Sequence, residues 1–185
     1  MFKLLTAASI AALSWAAADV AHGAVTVIGG GLAQACSEAA LGGQDDPRFQ
    51  EICTVALDTE FMLPRDRAGT YVNRGVLKLR RASYSEATRD FNEAVRLQPE
   101  MGEAYVNRGA ASIGQKRYAD SLSDINKALA LGVSEPEKAY FNRALAYEGL
   151  DDAKSAYFDY QKALEIAPEW PAPREQLTRF SVSRR

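Results

Sequence analysis

Five residues, Tyr71-Val72-Asn73-Arg74-Gly75, return as Tyr105-Val106-Asn107-Arg108-Gly109 after 34 positions. They return once more, altered, as Tyr140-Phe141-Asn142-Arg143-Ala144, 35 positions further on. A chain that repeats itself at this period folds as stacked supersecondary units, each covering the apolar face of the next. The recurrence therefore dictates an array before local propensity is considered.

Apolar residues at helical spacing divide each unit into two helices, A and B. The first unit, 67–100, is expected to form helix A over Arg67–Arg80 and helix B over Tyr84–Leu97. The second, 101–134, places them at Met101–Gly114 and Tyr118–Leu131. The third, 135–168, places them at Glu135–Gly149 and Asp152–Ile166. Pro99 and Pro168 end the first and third B helices, Gly132 ends the second, and Pro136 restarts the chain. The extra residue of the second unit falls in that turn, where an insertion costs little.

Residue by residue, these units resemble the tetratricopeptide repeat. Gly75, Gly109 and Ala144 stand at its first glycine. Ala87, Ser121 and Ala156 take the small site where helix B crosses helix A, and Phe91, Ile125 and Tyr160 its large site. Ala94, Ala128 and Ala163 take the next small site, and Pro99 and Pro168 its closing proline. Tyr84 and Tyr118 match the residue that opens helix B, whereas Ala153 departs. Small residues let helices approach closely and large ones fill the space between layers. The resemblance covers about residues 67–168 and implies an all-α fold, an α-α superhelix lined by its A helices.

The motif usually has leucine where Arg74, Arg108 and Arg143 stand. Each arginine is followed, 16 positions later, by an acid: Asp90, Asp124 and Asp159. The arginine lies on helix A and the aspartate on helix B of one hairpin, so an ion pair inside each repeat is expected. An anion site built from three arginines is the alternative, disfavoured because each arrives with its own acid.

On an array of this kind the residues facing the groove are Val72, Asn73, Val76 and Leu79 in the first unit. They are Val106, Asn107, Ala110 and Ile113 in the second, and Lys138, Phe141, Asn142 and Leu145 in the third. The lining is apolar with one asparagine per layer. An asparagine amide both donates and accepts, so three in register suit the N–H and C=O groups of an extended peptide. Peptide-binding relatives such as O-linked N-acetylglucosamine transferases carry a comparable ladder. Bonds from these amides to neighbouring helices fit the sequence equally well. The carboxylate clamp of other tetratricopeptide proteins fits poorly. Val72 and Val76 stand where it needs lysine and asparagine, and Asn142 replaces its arginine, although Asn107 and Lys138 agree.

Ahead of the repeats, residues 1–24 read as a signal peptide. Lys3 precedes the uncharged run Leu4–Ala18, which is shorter than the roughly 20 residues of a membrane span. Cleavage is expected after Ala18 or near Gly23-Ala24. Val25–Ile28 is β-branched, and Gly29-Gly30-Gly31 breaks it without forming a phosphate-loop pattern. Residues 25–64 are expected to form a helical pair, Leu32–Leu41 and Pro47–Phe61, with Leu63–Asp66 as linker. Cys36 and Cys53 are an even pair in an exported chain, and a disulfide between these helices is expected. They lack C-x-x-C spacing, and the single histidine, His22, lies beside the cut. Redox and zinc chemistry are therefore poorly supported. Residues 169–185 are expected to be a capping helix, with Trp170, Leu177 and Phe180 on the last repeat, and a polar tail.

Net charge is −2, from 22 basic and 24 acidic residues, which gives no electrostatic case for nucleic acid. No cofactor motif is present. The expectation is a non-catalytic scaffold that holds a protein or peptide partner in its groove, in the periplasm. A structural module that forms oligomers through its end repeats, or an accessory subunit of an envelope complex, is the alternative.

Overall fold

A computed structural model describes residues 2–4, 23–27, 31–180 and 182–184. The remainder of the expected leader, residues 1 and 5–22, lies outside the described residues. Among the described residues the fold is an array of α-helices, with one pair of three-residue strands. These are β1 (Phe2–Leu4) and β2 (Val182–Arg184), antiparallel with Phe2 opposite Arg184.

Helices α1 (Leu32–Leu41) and α2 (Pro47–Thr59) form the first hairpin, joined by the Cys36–Cys53 disulfide at a Cα–Cα distance of 5.0 Å. Asp46 caps α2 by accepting the Arg48 N–H at 2.9 Å, with Pro47 in the first turn. The start of α1 is capped from outside its own sequence. The Glu60 carboxylate, just past α2, accepts the N–H groups of Leu32 and Ala33. A negative charge is favourable at that end of a helix, where free N–H groups point.

Three further hairpins follow: α3 (Pro64–Arg80) with α4 (Tyr84–Leu97), α5 (Gly102–Gly114) with α6 (Tyr118–Leu131), and α7 (Pro136–Gly149) with α8 (Ala153–Ile166). The expected linker Leu63–Asp66 is mostly the first turn of α3. Pro64 suits the first helical position, where no N–H is needed, and Asp66 adds a carboxylate in the first turn. Each A-to-B turn holds one non-glycine residue in the left-handed region, Ala82, Lys116 and Asp151, at φ of 55–60°. The same turn is thus built three times on three different side chains.

Within a hairpin the core is the small-and-large pairing of the motif. Phe91, Ile125 and Tyr160 are fully buried, as are Ala94, Ala128 and Ala163. Between hairpins a second pairing operates. A Cβ on Gly114 would lie 2.4 Å from the Tyr84 ring, and one on Gly149 2.4 Å from Tyr118. Each tyrosine that opens a B helix therefore packs against the glycine closing the next A helix. Ala153 departs from the pattern at the hairpin that has no full hairpin after it.

The last layer is covered by α9 (Pro171–Leu177). Trp170 packs at a tilt against Phe141, 4.9 Å between ring centroids, and Phe180 meets Tyr157 at 5.7 Å. Arg179 pairs with Glu148 of α7, tying the end of the chain to the last A helix.

Candidate peptide-binding groove

Asn73, Asn107 and Asn142 occupy equivalent places on α3, α5 and α7, and all three are fully buried. Asn73 Nδ2 donates to the Val25 carbonyl at 2.8 Å, and its Oδ1 accepts the Val25 N–H at 2.8 Å. Asn107 Nδ2 donates to the Gly23 carbonyl at 2.9 Å and to Glu103 of its own helix at 2.9 Å. Residues 25 and 23 therefore present main-chain groups to the same face, while Ala24 does not. This alternation is that of an extended strand. The segment Gly23–Val27 runs across α3 and α5, opposite in direction to the order of the hairpins.

Several residues hold this strand besides the asparagines. Ser37 of α1 donates to the Val25 carbonyl at 2.9 Å and accepts the Val27 N–H at 3.2 Å. Gly69 gives the strand room: a Cβ there would lie 3.1 Å from Val27 Cγ2 and 3.3 Å from Val25 Cγ1. Val27 is buried among Ala33, Ala56, Leu32 and Met62. At the second layer the fit is looser. Gly23 borders a cleft lined by Glu103, Val106, Val133, Ser134, Glu135 and Lys138. Glu103 accepts from the Ser134 N–H and hydroxyl, both at 3.1 Å, and Lys138 pairs with Glu135. Asn107 Oδ1 is buried and has no hydrogen-bond partner.

The other candidate groove residues lie deeper. Val72, Val76 and Leu79 are buried in the core with Phe91, and Ala110 belongs to that same cluster. Val106, Ile113, Phe141 and Leu145 are buried around Tyr160 and Ile125. Lys138 is partly exposed at the edge of the cleft.

One position after each asparagine, the arginine turns between helices. Arg74 makes two bonds to Asp90, at 3.0 and 2.7 Å. Arg108 does the same to Asp124 at 2.8 and 2.6 Å, and Arg143 to Asp159 at 2.7 and 2.9 Å. The remaining Nη1 of each fork reaches the preceding hairpin: Thr54 from Arg74, Asn92 from Arg108 and Asn126 from Arg143. Tyr71, Tyr105 and Tyr140 lie beneath the guanidinium groups at 5.2–5.5 Å. Asp90 also takes Lys78 at 2.8 Å. Bonds to Asp124 and Asp159 hold Arg108 and Arg143 above the usual arginine pKa against the lowering effect of burial. At Arg74 burial is the largest influence and lowers the pKa, but the Asp90 bonds and charge, with smaller contributions from Tyr71 and Asp58, together outweigh it.

Sequence reasoning missed the strand in the groove, the supporting Ser37 and Gly69, and the third arm of each arginine. The β-branched run Val25-Thr26-Val27 was the available signal for the strand. Among the described residues no group of three His, Cys, Asp or Glu side chains suits a metal ion. No described helix is long and apolar enough to cross a membrane.

Residues 137–169, nearly the whole third repeat, match the family model for the tetratricopeptide repeat. No curated protein sequence matches the chain. Among solved structures the chain is similar to the TPR domain of Arabidopsis OM64, with TM-score 0.60 and 23% identity over 63% of this chain and 96% of that one. It is also similar to MamA residues 41 to the end from Desulfovibrio magneticus RS-1, with TM-score 0.63 and 20% identity over 80% of this chain and 82% of that one. At these identities the likeness carries the fold: an all-α superhelix of tetratricopeptide repeats.

Proposed function

We propose that this chain, an array of tetratricopeptide repeats, is a non-catalytic scaffold that holds an extended segment of a partner protein against its A helices, in a bacterial periplasm. Proteins of this repeat fold are generally protein-interaction scaffolds. One observation carries the finer reading: Asn73 grips both main-chain groups of Val25. That is the contact an asparagine ladder would make with any extended peptide, because it reads backbone and not side chain. Amide side chains supply donors and acceptors but neither a titratable proton nor a nucleophile. The periplasmic part of the reading rests on the leader-like N-terminus and on the Cys36–Cys53 disulfide, a bond that persists in oxidising compartments.

The test is a photo-crosslinking residue at position 103, beside the cleft, used in intact cells. The crosslinked segment of the partner is then made as a synthetic peptide. It is expected to bind the purified chain and to lose about tenfold or more in affinity to a variant with Asn73, Asn107 and Asn142 all changed to alanine. Unchanged affinity in that variant contradicts the reading.

A structural role through end-to-end oligomers is the second reading. Phe61, 97% exposed beside the first hairpin, and Phe158 on α8 favour it. A concentration-dependent mass in solution that vanishes on Phe61→Ser or Phe158→Ser would support it.

A further inference from the structure

The resident strand satisfies its two layers unequally. At the first layer both atoms of the Asn73 amide are used. At the second, Gly23 gives Asn107 a carbonyl but no N–H, and Asn107 Oδ1 stays buried without a partner. A strand that offered both groups there would make one hydrogen bond more than the chain makes with itself. Among the described residues the side-chain space is also unused. A Cβ built on Gly23 would lie 3.7 Å from Glu135 Oε2 and 3.8 Å from Glu103 Cγ, ordinary contact distances. Behind it lie Val106 and Val133, and around it two carboxylates and the Lys138 ammonium. An aliphatic stem ending in a positive charge suits such a cleft, since the stem lies on apolar surface and the head meets net negative charge.

We propose that cleavage after Ala18 leaves Gly23–Val27 in the chain as an internal stand-in occupying this groove, and that the partner which displaces it is an extended peptide with a β-branched residue opposite Asn73 and a lysine or arginine two residues earlier, opposite Asn107. The proposal rests on the peptide-binding reading above and adds the partner's chemistry, its direction and its competition with the chain's own strand. The partner runs from the third hairpin toward the first, as residues 23–27 do, with one asparagine at every second residue. The β-branched position packs over Gly69, where Val25 now sits. The basic position enters the Glu103–Glu135 cleft, and its N–H donates to Asn107 Oδ1.

The experiment uses the full chain and labelled synthetic nonapeptides of the sequence of residues 19–27. One carries Lys in place of Gly23 and one carries Glu. Binding is read by fluorescence anisotropy to the unmodified chain and to Val25→Pro, which removes the N–H that Asn73 accepts. The Lys peptide is expected to bind about tenfold tighter than the Glu peptide, and less tightly to Asn107→Ala. Val25→Pro is expected to bind the Lys peptide more tightly than the unmodified chain does. Equal binding of the Lys and Glu peptides overturns the basic-residue assignment while leaving the groove reading in place. Equal binding of the Lys peptide by the unmodified chain and a folded Val25→Pro overturns the competition. Binding of neither peptide to either protein overturns this proposal and the groove reading together. If Val25→Pro does not fold, Gly23→Lys and Gly23→Glu in the full chain decide the charge question and the competition. Slower Val25 amide exchange in the Lys variant, with weaker uptake of the Lys peptide, is expected. Equal exchange and equal uptake in the two variants overturn both.

Discussion

Asn73 and Arg74 are neighbours in sequence, recur together in every repeat, and point to different kinds of partner. The arginine row is closed within the array: each fork takes an aspartate of its own hairpin and one oxygen of the hairpin before it. The asparagine row meets a strand that is not part of any hairpin, fully at Asn73 and half at Asn107. A residue that recurs in repeats is thus not of one kind. Where its partner also recurs, it is architecture. Where its partner comes from outside the repeat, the same recurrence makes a row of receptors.

The largest effect is expected on the arginine side. Asp90→Ala leaves Arg74 and Lys78 without their carboxylate in a site where Asp90 is only 4% exposed. Chemical denaturation should show a loss of about 3 kcal/mol or more, as for a buried pair with one partner removed. Asp124→Ala, with one cation and more exposure, should lose less. A loss within the range of surface pairs would show that the braces carry little of the array.

Removing the disulfide comes next. Cys36→Ser with Cys53→Ser should cost about 3 kcal/mol in the chain-entropy model, felt first in α1 and α2. Because Ser37 on α1 holds the strand, loosening α1 should also loosen Val25. The arginine braces of α5 and α7 should be untouched.

The two asparagines should separate from one another. Asn73→Ala breaks two bonds and strands main-chain groups of Val25, at a cost of about 1–3 kcal/mol. Asn107→Ala breaks the bonds to the Gly23 and Glu103 carbonyls but strands no N–H and removes an unpartnered buried oxygen, so its cost should be smaller, about 1 kcal/mol. Equal and large losses at both positions, matching Asp90→Ala, would erase the distinction between the two rows.

Much of the array was readable in the residues, because small, large and small again at fixed offsets is a local rule repeated three times. Helix limits followed wherever a cap or proline marked them, and Leu63–Asp66 was misplaced because Pro64 opens a helix as readily as it ends a linker. The arginine–aspartate spacing was equally visible. The third arm of each arginine was not, since Thr54, Asn92 and Asn126 differ in type and stand at unequal separations from it. Asn73 and Asn107 were legible as amides facing the groove, but their occupant lies 48 and 84 residues away in sequence. No periodicity connects a single strand to a repeated face.

Amide hydrogen exchange at Val25 tests the central claim most directly, because this N–H has one acceptor, Asn73 Oδ1. In the unmodified chain it should be protected well beyond the rate of a free peptide. In Asn73→Ala it should exchange freely while the α5 and α7 helix amides keep their protection. A Val25 amide that exchanges at the free-peptide rate in the unmodified chain would contradict the account of an asparagine face that holds main chain.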